Sequence, residues 1–213
     1  MDSLRVTTLS LGPLQANCFI VARASDCLVI DPGDEAHLVV DRLERDGTLP
    51  AALLLTHGHF DHFGGVAELA RRYDVPVYLG HDDLDQLRDG GLGHEAGFPP
   101  DPVGDVELLS GEQVLALPLP VRALPTPGHS RGSYSFGIDG HLFSGDLLFR
   151  GSVGRTDFLG GDMDQLLASV ALLMRSFPPA TIVHCGHGPD TTLARELASN
   201  PFLTALRGAD LPR

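Results

Sequence analysis

The string Thr56-His57-Gly58-His59-Phe60-Asp61-His62 packs three imidazoles and a carboxylate into one short loop, directly after the apolar run Ala51 to Leu55. A buried strand that breaks into such a loop constrains the whole fold. Neutral imidazole and carboxylate are ligands for zinc and other borderline transition metals, and an ordinary surface loop has no reason to concentrate them. His57 and His59, two apart in extended chain, point to one side, while the turn that follows redirects Asp61 and His62. One loop could thereby serve two neighbouring ions.

Further donors follow other apolar runs: His129 in Thr126-Pro127-Gly128-His129, Asp146 in Phe143-Ser144-Gly145-Asp146, and His187 in Gly186-His187-Gly188-Pro189. Each alone reads more often as a turn or cap residue than as a ligand. Together with the first cluster they make seven ligands, enough for two ions. The dipeptide Asp139-Gly140 predicts a two-residue hairpin turn that pairs Ile138 with His141 and, continued, Ser133 with Asp146. That register carries Asp146 toward the level of His129.

Strands are expected at 4 to 9, 18 to 22, 27 to 30, 51 to 55, 75 to 79, 105 to 109, 113 to 117, 121 to 125, 133 to 138, 141 to 144 and 181 to 184. Helices are expected at 35 to 46, around Val66, Leu69, Ala70 and Tyr73, from Asp162 to Phe177 with capping-box spacing at Asp162 and Gln165, and at 191 to 199. Residues 81 to 104 read as a short helix over 82 to 88 followed by a long glycine- and proline-rich loop. Strands then helix, twice over, with unusual residues in the loops, predicts an α/β fold of two packed sheets with helices outside. No linker marks a boundary, so a single domain is expected over residues 1 to 213.

Composition trims the functions open to such a fold. The 15 cations are all arginine, which excludes Schiff-base lysine chemistry and Walker-type phosphate loops, and a formal charge of -13 repels nucleic acid. The 3 cysteines lack CxxC spacing and suggest a reducing, cytoplasmic setting; no run is long and apolar enough to span a membrane. Cys185 beside the last motif reads as core filler.

The strings VIDPGD (29 to 34), THGHFDH (56 to 62), TPGHS (126 to 130), SGD (144 to 146) and GHGP (186 to 189) resemble, in order, the five motifs of the metallo-β-lactamase superfamily. The resemblance implies an αββα sandwich of two mixed β-sheets flanked by helices, with a metal site at one sheet edge. It assigns His57, His59 and His129 to one ion, Asp61, His62 and His187 to the other, and Asp146 to the bridge between them. Asp31 would orient a ligand loop from behind. The implied cofactors are two divalent ions, zinc foremost, with iron or manganese as alternatives.

Within the superfamily, GSVGRTDFLGG (151 to 161) and the ending GHGPDTTLARE resemble the short glyoxalase II-like branch. The implied activity is hydrolysis of a thioester such as S-lactoylglutathione, by attack of metal-bound hydroxide on the carbonyl, with Asp61 and Asp146 as catalytic carboxylates. Gly154 to Phe158 also resembles mononuclear iron persulfide dioxygenases, but those carry an aspartate where this chain has Gly188-Pro189. A non-catalytic metal-binding module and a nuclease are the weaker alternatives. Residues 191 to 213 are all that follows the last motif, so the helical glutathione-binding domain of full-length relatives is expected to be missing. Arg155 and Asp157 read either as substrate contacts, Arg155 taking a carboxylate, or as a self-paired turn; Tyr134 reads either as a contact reaching the site or as strand packing. The expected partner is a small thioester or acyl compound, with a homo-oligomer left open.

Overall fold

The structure, a computed structural model, describes residues 3 to 208; both ends of the domain expected over 1 to 213 lie outside them. Strands β1 (Arg5–Leu11), β2 (Ala16–Arg23) and β3 (Asp26–Ile30) form an antiparallel meander. β4 (Leu49–Leu54), β5 (Val77–Gly80) and β6 (Glu107–Leu109) extend that sheet in parallel. The second sheet begins with β7 (Gln113–Leu115), β8 (Val121–Pro125), β9 (Tyr134–Ile138) and β10 (His141–Gly145). After a separate small hairpin, β11 (Leu148–Phe149) with β12 (Ser152–Val153), it is completed by β13 (Ile182–Cys185) and β14 (Thr191–Thr192), in the order β14-β13-β10-β9-β8-β7.

Helices α1 (Ala36–Asp46), α2 (Phe60–Phe63), α3 (Val66–Tyr73), α4 (Leu84–Arg88), α5 (Gly93–Ala96), α6 (Met163–Ser176) and α7 (Leu193–Ser199) fill the connections. Period-2 alternation divides the inner strands between two apolar layers. Along β2, Cys18, Ile20 and Ala22 face α1 and α3, where Val39, Leu43, Val66 and Leu69 pack. Phe19 and Val21 face inward, between the sheets, against Phe136 and Phe143. A third layer packs Leu142 and Val183 of the second sheet under α6 and α7. Each fully buried Phe or Leu contributes about 1.5–3 kcal/mol of burial, which holds the two sheets face to face. The outcome is the expected αββα sandwich.

Three local expectations need correction. Residues 81 to 104 are not simply a long loop beyond the first helix: a 3-10 turn, His81–Asp83, precedes α4, and α5 follows it. The hairpin pairs Ile138 with His141 as expected, but the ladder ends at Phe136 opposite Phe143 and never pairs Ser133 with Asp146. A bulge lies between Phe143 and Gly145, and Gly145 adopts a left-handed φ of 50°, which turns Asp146 out of the strand. The β11–β12 hairpin carried no alternating pattern long enough to reveal it.

Candidate metal centre

Parallel pairing sets Ile30 opposite Leu54, so the loops after β3 and β4 leave the sheet side by side. Asp31, buried and with a left-handed φ of 49°, uses that adjacency. Its Oδ1 accepts the Thr56 N–H at 2.7 Å and its Oδ2 accepts the Thr56 hydroxyl at 2.6 Å. Oδ2 also lies 3.0 Å from Nδ1 of His62. Thr56 Oγ1, already donating to Asp31, stands 3.0 Å from His57 Nδ1 and serves it as acceptor. His129 Nδ1 lies 2.7 Å from the backbone carbonyl of Arg155. His57, His62 and His129 therefore spend Nδ1–H on a fixed acceptor and turn Nε2 to the centre, the arrangement that ligating histidines need.

The donors converge. His57, His59 and His129 form one group, His57, His62 and Asp146 a second, and Asp61, His62 and His187 a third, each with candidate ligand atoms within 4.8 Å of one another. His59 presents Nδ1, only 2.9 Å from His129 Nε2. Asp146 stands between the sets: Oδ1 is 3.5 Å from His62 Nε2, and Oδ2 is 3.7 Å from His129 Nε2 and 3.6 Å from His187 Nε2. His187 Nε2 approaches Asp61 Oδ2 at 3.3 Å. A Cβ on Gly186 would collide with the Asp146 carboxylate, so glycine is required for the last motif to close over it.

Three atoms decide what the cluster is for. His57 Nε2, His62 Nε2 and Asp146 Oδ1 are buried and lack a hydrogen-bond partner. Each such orphan costs about 1–3 kcal/mol unless something satisfies it. All three belong to one donor group, and divalent cations satisfy them together. The charge balance agrees. Burial and the neighbouring imidazoles push His57 well below its usual range and His59 down to about 3, so both stay neutral and ready to ligate. Burial opposes charge on His62, yet the carboxylates of Asp146, Asp61 and Asp31 hold it up to about 10, the mark of a position that wants positive charge. His187 is raised as well, against its burial, by Asp61 and Asp146.

A buried carboxylate with no sequence signal supports the loop from below. Asp83, ahead of α4, accepts the N–H of Gly58 at 2.9 Å and of Gly132 at 2.7 Å and the Ser130 hydroxyl at 2.6 Å. It ties the first histidine loop to the His129 loop. Asn17 does the same for the last motif, its side-chain N–H donating to the carbonyls of Cys185 and Gly188. Asn17 also joins two sheets, next to the bridge between Ala16 and His187.

The centre opens into a cleft of about 440 Å³ lined by His59, Asp61, His129, Asp146 and His187 together with Leu14, Phe60, Leu92, Phe149, Val153 and Phe158. Arg155 is at its edge, but its guanidinium is bound to Asp157 through two bonds of 2.7 and 2.6 Å and lies 4.1 Å above the Phe158 ring. Of the two readings of this pair, the geometry is that of the self-paired turn. Tyr134 does not line the cleft: its ring packs between the sheets and its hydroxyl donates to Gly111, so strand packing, not reach into the site, describes it. Cys185 is fully buried, which pushes its thiol up to about 12 and removes it as a nucleophile. Among the described residues no helix is long and apolar enough to cross a membrane.

Known proteins carry the same frame. The sequence model of the metallo-beta-lactamase superfamily matches residues 11–187. A probable metallo-hydrolase, YqgX of Bacillus subtilis, is 39% identical over 92% of this chain and 95% of its own length. The hydroxyacylglutathione hydrolase GloC of Haemophilus influenzae is 32% identical over 95% of this chain and 99% of its own. The crystal structure of the BLEG-1 B3 metallo-beta-lactamase superposes with a TM-score of 0.90 at 38% identity, covering 94% of this chain and all of that one. That of TTHA1623 in a di-iron-bound form does so at 0.85 and 42% identity, over 92% and all of the respective chains. With its motifs converging on one sheet edge, the chain belongs to the metallo-β-lactamase superfamily and to its glyoxalase II-like branch.

Proposed function

We propose that the protein is a dinuclear metal-dependent thioester hydrolase. His57, His59 and His129 would hold one cation, Asp61, His62 and His187 the other, with Asp146 shared. Two bound divalent ions supply a Lewis acid for a carbonyl and bring the pKa of a coordinated water toward neutrality. Asp31 and Thr56 keep the His57 and His62 tautomers fixed, and the Arg155 carbonyl fixes His129.

One observation carries the choice of substrate bond. Among the residues that line the cleft, every titratable group except the paired Arg155 belongs to the donor set, and the sole hydroxyl is that of Ser152. No side chain stands ready either to attack a carbonyl or to protonate a departing amine. A leaving group that needs no proton suits such a site, and a thiolate is one; an amide nitrogen is not. Similarity to GloC supports the same bond. The shared carboxylate and the two complete donor sets favour two ions over the single iron of a dioxygenase.

Protein stripped of metal and reloaded with zinc or iron tests this directly. Offered S-lactoylglutathione, it should release thiol in proportion to metal, and offered glutathione persulfide it should consume no oxygen. One iron per chain with oxygen uptake and no thiol release would overturn the reading.

A further inference from the structure

Resting on the thioester reading, we propose that the cleft selects a hydrocarbon acyl group joined to a thiol without net negative charge, and discriminates against glutathione thioesters. Six apolar side chains line the cleft: Leu14 from the β1–β2 loop, Phe60 of α2, Leu92 before α5, Phe149 and Val153 of the small hairpin, and Phe158. Phe60 stacks on the half-exposed Phe98 at 6.1 Å, which extends this surface to the rim, and Leu159 beyond Phe158 is 92% exposed. Nothing polar outside the donor set and Arg155, other than Ser152, faces a bound acyl chain. A hydroxyacyl group would find only the Ser152 hydroxyl there to partner its own outside the donor set and Arg155, and bears an uncompensated desolvation cost wherever it does not reach it.

The charges point the same way. The glutathione tail carries two carboxylates, and the one arginine lining the cleft already commits its Nε and Nη2 to Asp157. Next to the cleft, sharing His59, Leu92 and Phe158 with it, lies a second hollow of about 330 Å³ whose wall carries Asp82, Asp85, Asp89 and Glu95 against one cation, Arg131. An anionic thiol arm leaving the centre on this side meets repulsion; a neutral or cationic arm does not. The reaction itself is unchanged. Water adds its oxygen to the carbonyl carbon, the C–S bond breaks with its electron pair on sulfur, and the products are carboxylate, thiol and one proton.

The test compares acetyl, butyryl and hexanoyl thioesters of N-acetylcysteamine, a neutral thiol, with the same acyl series on glutathione, using metal-loaded protein. We expect kcat/KM to rise about threefold per methylene, and each neutral thioester to exceed its glutathione counterpart by about tenfold. Binding is read separately by calorimetry on metal-free protein, with S-hexyl-N-acetylcysteamine expected to bind more tightly than S-hexylglutathione. Asp157→Asn releases Arg155 at an exposed site and should narrow that difference by roughly threefold. A flat chain-length series, or preference for S-lactoylglutathione over the hexanoyl neutral thioester, overturns the selectivity and leaves thioester hydrolysis standing. Failure to cleave any thioester overturns both.

Discussion

The floor of the site and its wall are built on opposite principles. On the floor three of the donors are fixed twice: His62 by its strand-end loop and by Asp31, His57 by the same loop and by Thr56, His129 by the Gly128 turn and by the Arg155 carbonyl. The wall, from 84 to 104 and from 151 to 161, rests on short helices, a two-strand hairpin and an exposed ion pair. The difference separates chemistry from selectivity. A buried, over-determined floor can be shared across a superfamily, while a wall of short elements is free to differ from one member to the next.

Breaking the floor should cost most. Asp146→Asn removes one of the two carboxylate charges in the donor set and should lower thioester turnover by at least about a thousandfold, with loss of metal visible by elemental analysis. Asp31→Ala touches no metal, yet it frees both Thr56 and His62; metal affinity should fall by about 10–100-fold in a competition titration with a chelator. Asp83→Asn exchanges one of two acceptors for a donor, which then faces the N–H of either Gly58 or Gly132. It should cost about 2–3 kcal/mol in urea denaturation.

These three aspartates also mark what a reader of the sequence can and cannot see. Asp146 and Asp31 sit in motifs whose residue types declare their chemistry. Asp83 sits in His81-Asp82-Asp83-Leu84, where acids are common at helix starts, and its partners lie 25 and 49 residues away. Its role exists only once the sandwich has brought three loops together. The inner strands were legible because both faces of β2, β3 and β4 are covered and their apolar runs are unbroken. Residues 81 to 104 were not, because glycines at 90, 91 and 93 interrupt every period although Gly91 packs against the Phe60 backbone. A left-handed Gly145, not a continued hairpin, brings Asp146 to the donor cluster, a turn that hairpin register alone does not foretell.

Proton linkage sharpens the same contrast. His62, held up to about 10 without a bound cation, is protonated at pH 7, and a ligating imidazole must be neutral. Metal uptake at pH 7 should therefore release protons into a weakly buffered solution, and metal affinity should rise with pH. Away from the floor, burial raises Cys27 to about 11 and Cys185 to about 12 from an ordinary 9.0. The folded state keeps these protons after the unfolded state has lost them, so their stabilisation is intact below pH 9 and lost as pH climbs through 11 and 12. Denaturation midpoints across that range measure it. The wall should give the smallest effect: Arg155→Ala leaves the backbone carbonyl that orients His129, so metal content should stay at the wild-type level.

On this reading the seven donors on the floor form one centre for two ions. Calorimetric titration of metal-free protein with zinc tests it most directly. Two equivalents bound per chain by the wild type, and fewer than two by Asp146→Asn, is the predicted result. Saturation of the wild type at a single equivalent would contradict it.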